Sequence, residues 1–551
     1  MRKSNQRDYQ TKMQWKEYSI RRLAVAIVMT FGMMFAACSG KAEPEVTEEN
    51  LQCWEKYADE EITLDWYVNY SWFVTKWGGN AVSDKITEET GVTVNFVTPL
   101  GNEEEKLNSL ISLDALPDII TLGWWEPQIT TMIDEGMVYA LNELADLYDV
   151  CFYDVADEAV LNWYRSEDGN VYQYPCSSFT PQDSKMYDNI PSNQTFMVRK
   201  DIYEAIGSPD MTTPEGFYEA VKKAKEQFPQ VDGKELIPIG AHVFDETGCV
   251  SFDQMLMNFL AIPYEVDGKF YDRYTDPEYI RWLKMFRKLG TEGYLMNDIF
   301  VDQRTQMSEK LAEGRYFCML YQHTDMADQQ KILYEKNKNS IYMAVDGPKN
   351  SNGADYTLPI TGINGWTVTL ISKNCEHPDR AIAFLDYLLS EHGQKLTYLG
   401  VEGVTYDVVD GNIVMKEEVE KLLNSDRKSY DALYGADNTY WMLQDNAMQM
   451  QWVEKTEAPM AQLEEWTYPY AKYVGQYEII FSTDTYFGTI NTKVERLWSK
   501  TLKKLLLAES EEVFDELWAE FIKERRELGY EELLQEKTRR MLENKERIGI
   551  E

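Results

Sequence analysis

The residues with most chemistry to offer are aromatic rings set beside amides, carboxylates and glycines, next to short apolar runs. Asn69-Tyr70-Ser71-Trp72-Phe73 follows one run, Trp124-Trp125-Glu126 a second and Tyr321-Gln322-His323-Thr324-Asp325 a third; Asn364-Gly365-Trp366 leads into a fourth. A late segment, YGADNTYWMLQDN, adds Asp437, Asn438, Tyr440 and Trp441. Flat ring faces flanked by hydrogen-bonding groups suit a ligand with C–H patches ringed by hydroxyls, which is what a sugar presents. In ITLGWWEP, Ile120 to Pro127, the two adjacent tryptophans cannot both face one side of an extended strand, so one must leave the core. The candidate ligand contacts are Tyr70, Trp72, Trp124, Trp125, Glu126, Tyr321, His323, Asp325, Asn364, Trp366, Asp437 and Trp441. Trp66 lies within an apolar run and Trp498 and Trp518 on helical faces, so these are assigned to packing.

Catalytic patterns are absent. The chain has no GxSxG, HExxH, P-loop or GxGxxG signature. Its four histidines, His242, His323, His377 and His392, have no metal-like spacing, and Asp407 with Asp410-Gly411 lacks the alternating ligands of a calcium loop. A glycoside hydrolase needs two carboxylates across a sugar site, but among 93 acidic residues a pair can always be found, so abundance decides nothing. The reading is a binding protein rather than an enzyme, with no catalytic residue, metal or cofactor. An exported glycoside hydrolase and a lipoprotein that binds a peptide or another solute are the alternatives.

The apolar runs that must position these rings alternate with helical patterns. ITLDWYVNY from Ile62, VTVNFVTP from Val92 and DALPDIITLG ending at Gly123 read as strands, separated by helices over Ala81 to Glu89 and Glu103 to Ile111. That order predicts parallel strands joined by crossover helices, with ligands beyond their carboxyl ends. Later, Asn193 to Gly207 reads as strand then helix, Thr213-Pro214 as a capped helix start, and GRYFCMLYQHTDM and GINGWTVTLISKN as strands. A helix follows His377, and the tail from Thr492 is helical with a break at Gly529. No internal repeat is present.

The amino terminus has a basic segment, then LAVAIVMTFGMMFAAC from Leu23 to Cys38, shorter than the ~20 apolar residues of a spanning helix. It reads as a signal peptide over residues 1–37, with translation starting at Met1 or Met13. Phe35-Ala36-Ala37-Cys38 resembles the bacterial lipobox, with phenylalanine where leucine is usual, which makes Cys38 the lipid-attachment residue. A polar tether over 38–60 follows. The formal net charge is −38, and removing residues 1–37 makes the chain more acidic still, which disfavours nucleic acid as a partner. The remaining cysteines are scattered without a CxxC pair and are expected to be mostly free, buried thiols.

The order of these segments resembles the family 1 extracellular solute-binding proteins of bacterial ABC importers, in their large lipoprotein branch from Gram-positive bacteria. The resemblance is carried by the lipobox, LPDIITLG, VYQYP, FMVRKDIYEAIGSPDMTTPEGFYEAV, AEGRYFCMLY and GWTVTLISKNCEHPDRAIAFLDYLLSEHGQK, in that order over most of the chain. It implies a two-lobed α/β fold, each lobe a mostly parallel sheet flanked by helices, with a helical carboxyl-terminal segment. The expected division is 61–175 with 362–410 in the first lobe and 176–361 with 411–551 in the second. The resemblance further implies a monomer, lipid-anchored on the outer face of the cell membrane, that closes over a carbohydrate and presents it to a membrane permease. The number of available rings favours a neutral oligosaccharide.

Overall fold

The computed structural model describes residues 53–57, 60–453, 455–482 and 485–550. The expected signal peptide, Cys38 and most of the tether lie outside them. After a helical turn at Cys53–Tyr57 come β1 (Ile62–Val68), α1 (Ala81–Thr90), β2 (Val92–Val97), α2 (Glu103–Ser112) and β3 (Ile119–Gly123). Local chemistry sets these boundaries. The Asn80 side chain caps α1 by accepting from the Ser83 amide, and Gly91, at φ 70°, closes it in the left-handed conformation that glycine adopts without strain. After the short β4 (Tyr174–Pro175) the chain crosses to β5 (Gln194–Arg199), α3 (Pro214–Gln227), β6 (Ile237–Gly240), α4 (Arg304–Ala312), β7 (Tyr316–Gln322) and β8 (Tyr342–Ala344). As the sequence predicts, Thr213 caps α3 and Pro214 occupies its first turn. The return brings β9 (Thr367–Ile371), α5 (Pro378–Leu389), α6 (Glu391–Leu399) and a hairpin of β10 (Tyr406–Val409) with β11 (Asn412–Met415). Three helices, α7 (Tyr486–Leu506), α8 (Glu511–Glu527) and α9 (Tyr530–Ile548), end the chain, with Gly529 at φ 95° between the last two.

The first sheet has the order β2-β1-β3-β9-β4 and the second β8-β5-β7-β6. Both are mixed, where a mostly parallel arrangement was expected. β1 runs parallel to β2 and β3, but β9 is antiparallel to β3 and β4; β7 is parallel to β6, but β5 is antiparallel to β7 and β8. The cause is the crossing. A strand that starts as the chain arrives from the other lobe starts at the edge where native strands end, so it must run backwards. Thr367 at the start of β9 accordingly pairs with Gly123 at the end of β3, and Gln194 at the start of β5 with Gln322 at the end of β7. The crossing segments join these two edges.

The second lobe has one large core that includes Phe196, Phe217, Trp282, Tyr316, Trp498, Phe514 and Phe521. The first lobe's main core includes Trp66, Ile86, Phe384 and Leu385. That core also takes Val419, Tyr430, Ala436 and Trp441, which corrects the expectation that residues from 411 onward belong to the second lobe. The late segment therefore divides: 419–443 packs on the first lobe, α7 and α8 on the second, and Ile548 at the end of α9 returns to the first. Cys176, Cys249, Cys318 and Cys375 are free and buried as expected, whereas Cys151 is disulfide-bonded. Among the described residues, no helix is long and apolar enough to cross a membrane, and no group of three metal-ligating side chains exists.

Candidate ligand-binding site

Four of the sequence-predicted rings come together at the edge of the first sheet. Tyr70 and Trp72 follow β1, Trp366 precedes β9, and Trp441 rises from a short helical turn, Trp441–Leu443. Trp366 is central: its ring centroid lies 4.5 Å from Trp441, 5.5 Å from Tyr70 and 5.9 Å from Trp72, the last two nearly parallel at 26° and 11°. Trp72 is the outermost, 56% exposed, while Trp441 is 8% exposed. Beneath them Phe73 meets Trp441 edge-on at 5.9 Å and Phe96 at 5.0 Å, so the platform stands on core. The Tyr70 hydroxyl and the Trp441 indole N–H are buried without a hydrogen-bond partner. Such groups cost ~1–3 kcal/mol each when left unpaired, and a ligand hydroxyl is a partner of suitable type.

The crossing segments hold this platform in register. The Trp366 amide donates to the Cys176 carbonyl at 3.0 Å, and Ser177 donates from its amide to Gln444 O at 2.8 Å, tying the first crossing to the turn that carries Trp441. Gly365 sits at φ 68°, where an added Cβ would lie 2.0 Å from Cys176 O, so no other residue fits. Between the strands, Thr121 and Thr369 hydroxyls meet at 2.7 Å and the Trp66 indole donates to Thr121 at 2.8 Å.

Trp124 and Trp125 separate, but in the turn that follows the end of β3 at Gly123 rather than by alternation along a strand. Trp124 packs against the small core containing Leu122 and Val368, while Trp125 is 47% exposed. The Trp125 ring lies so close over Gly123 that a Cβ there would meet it at 2.7 Å. Glu126 is turned inward: Oε1 accepts from the Gly123 amide at 2.9 Å and Oε2 from Asn69 Nδ2 at 2.6 Å, and Asn69 in turn accepts from the Tyr67 hydroxyl at 2.7 Å. Burial raises the Glu126 pKa against these bonds. Its place is a brace between the loops that end β1 and β3.

The remaining predicted residues occupy different settings. Asn364 is 5% exposed and fully engaged: Oδ1 accepts from the Trp163 indole at 2.7 Å, its carbonyl from the Tyr164 hydroxyl at 2.8 Å, and Nδ2 donates to Glu478 at 2.8 Å. Tyr321 is fully buried with its hydroxyl unpaired, and His323 is 3% exposed with Nε2 3.0 Å from Ser192 O; burial pushes that imidazole pKa down. Asp325 is ion-paired with Arg304 at 2.9 Å. These positions make Asn364 and His323 internal ties, unlike the loop contacts expected from the sequence. Asp437 pairs with Arg427 at 2.7 Å and lines a separate groove on the first lobe. Trp441 packs on the first lobe, where the second was expected.

Sequence reasoning missed several contributors. His242 stands beyond the end of β6 with its ring 5.7 Å from Tyr321, and the Arg304 guanidinium lies 5.6 Å from the Tyr321 ring centroid at the start of α4. The strand-end rule that picked Tyr321 also applies to His242 and would have found it. Glu478 carried no local signal; burial raises its carboxyl to about 7 even though Asn364 donates to it.

A family model described as "Bacterial extracellular solute-binding protein" matches residues 81–422, more than half of the chain. The chain belongs to this family. Among curated proteins, this solute-binding protein is 22% identical over 452 residues to the polygalacturonan/rhamnogalacturonan-binding protein YtcQ of Bacillus subtilis, covering 79% of this chain and 84% of that one. Among solved structures it resembles the alginate-binding protein AlgQ2, at 19% identity and TM-score 0.63 over 88% of this chain and 98% of that one. It also resembles the Streptococcus pneumoniae ABC-transporter substrate-binding protein FusA in complex with kestose, at 16% identity and TM-score 0.67 over 88% and 99% of the two chains. At these identities the structures establish a shared fold.

Proposed function

We propose that this solute-binding protein captures a neutral oligosaccharide between its lobes and delivers it to the permease of an ABC importer, without chemically altering it. The observation that carries the reading is the contiguous platform of Tyr70, Trp72, Trp366 and Trp441, built from three segments distant in sequence, with two buried donors left unpaired. Sugar rings stack on such faces through their C–H groups, and their hydroxyls pair with the orphaned donors. Neutral ligands are favoured because Arg304, at the second sheet's cleft edge, is already matched by Asp325. Ligand held by both lobes shifts an open–closed equilibrium toward closure. The protein works as a monomer, and a lipid on Cys38 holds it at the extracytoplasmic membrane face, raising its effective concentration at the permease. The name of the relative YtcQ supports carbohydrate as the class and puts oligogalacturonate among the ligands to be compared.

The test is calorimetry and thermal shift of the mature chain against gluco-, galacto-, manno- and fructo-oligosaccharides, with oligogalacturonate as the charged counterpart. Saturable binding of a neutral chain, unchanged after prolonged incubation, is the expected result. Preferential binding of oligogalacturonate overturns the neutral assignment. Turnover of the sugar overturns the binding-protein assignment, and protection by peptides but by no sugar overturns the ligand class.

A further inference from the structure

Apart from the aromatic platform, a groove of about 1020 Å³ runs along the first lobe between α6, the β10–β11 hairpin and the turn at Gln451–Val453. Its floor is apolar, formed by Leu396, Leu399, Ile413 and Met415, while hydroxyl, amide and carboxylate groups from Tyr430, Asn412 and Asp437 line it as well. Tyr430 is 0% exposed, yet its hydroxyl has no hydrogen-bond partner. Leaving it so costs ~1–3 kcal/mol, which an occupant with a hydroxyl would recover. Asp437 accepts from Arg427 through Oδ2, and its Oδ1 has no partner among the described residues. Val408, on the hairpin wall, is 48% exposed, and half-buried Trp452 has the Lys395 ammonium 5.4 Å from its ring centroid.

Asp437 stands only four residues before Trp441, so the groove and the platform share one short segment whose ends are at most about 14 Å apart. The mixed lining argues for the occupant. A lipid chain would meet carboxylates and amides along the walls, and a polyanion would meet Glu402, Glu420, Asp437 and Glu457, while the lining lysines Lys85 and Lys395 are already paired with Glu88 and Glu391. A chain of sugar rings offers C–H faces to the apolar floor and to Trp452, and hydroxyls to Tyr430, Asp437 and Asn412.

We propose that this groove is an accessory saccharide site, which holds the part of a long glycan that extends beyond the aromatic platform. The proposal rests on the carbohydrate-binding reading. It gives the protein a preference for longer chains that the cleft alone does not supply.

The experiment measures affinity of the full mature chain for the best panel oligosaccharide, supplied as a two-ring and as a roughly eight-ring chain. Wild type is expected to bind the long chain about tenfold more tightly. Trp452→Ala removes that gain and leaves two-ring affinity unchanged. Tyr430→Phe, which keeps the ring and deletes the unpaired hydroxyl, weakens the long chain severalfold and not the short one, so a folding defect is distinguishable from a lost contact. Equal wild-type affinity for both lengths overturns the proposal, as does an unaltered length gain in both variants. In either case intact short-chain binding leaves the cleft reading standing, whereas failure of every saccharide to bind removes both.

Discussion

Glu478 offers a sharp test of how the crossing segments are held. Its carboxylate accepts from Asn364 Nδ2 at 2.8 Å, with no cation in ion-pair contact among the described residues, and burial lifts its pKa from the ordinary 4.5 to about 7. The folded chain therefore holds this proton more tightly than the unfolded chain. Stability from this group is fully present below about pH 4.5, declines as pH rises through 7, and is flat above. A rise of about 2.5 units corresponds to ~3 kcal/mol of destabilisation on the alkaline side, by the conversion of ~1.36 kcal/mol per unit. Glu478→Gln keeps the volume and the acceptor for Asn364 while removing the ionisation. Urea unfolding of both proteins, followed by tryptophan fluorescence at about pH 5 and about pH 8.5, should show near-equal stability in acid and a variant more stable by ~2–3 kcal/mol in base. An equal difference at both pH values, or no gain in base, refutes the account of Glu478 as a buried carboxyl that ionises at a cost.

Other perturbations separate packing from recognition. Gly365→Ala places a Cβ 2.0 Å from Cys176 O at a φ of 68°, so thermal unfolding should show a loss of about 2–4 kcal/mol. Trp72→Ala removes a ring already 56% exposed, so stability should change by less than about 1 kcal/mol, while calorimetry should show affinity for the bound sugar falling about tenfold. Of the adjacent pair, Trp124→Ala should mainly destabilise and Trp125→Ala mainly weaken binding; if both only destabilise, the motif is core throughout. Burial opposes ionisation of Glu89, but bonds from His392 and Tyr387 prevail and hold its pKa at about 2. The resulting stability is present above about pH 4.5 and is lost as pH falls toward 2, so Glu89→Gln should flatten acid unfolding in that window.

What could be read from the sequence was what local chemistry specifies. The β1-to-β3 alternation follows from apolar periodicity, and the start of α3 from Thr213-Pro214. The mixed sheets were not readable in that way, because strand direction in β5 and β9 depends on which edge the chain reaches after a crossing. The placement of 419–443 was hidden for a related reason. Val419, Tyr430 and Trp441 form an apolar set that either lobe could have buried, and only the folded arrangement puts them in one core with Phe384 and Leu385.

The same distinction divides the candidate site. Tyr70, Trp72 and Trp366 stand at strand ends beside glycine or polar residues, and Trp441, whose ring is itself in the first lobe's core, joins them from a helical turn. Asn364 and His323 have the same local setting but different partners. Asn364 meets Trp163 and Glu478 from 201 and 114 residues away, and His323 meets Ser192 from 131 residues away. A polar side chain at a strand end can bind ligand or bind the chain itself, and the choice is made by whichever group the tertiary fold delivers to it. Ring faces are instead matched by other rings, as where Trp366 stacks on Tyr70 and Trp72, and of the four Trp72 is the most exposed. That difference explains why four of the predicted rings come together in the fold while Asn364, His323 and Glu126 are taken up in bonds within the chain.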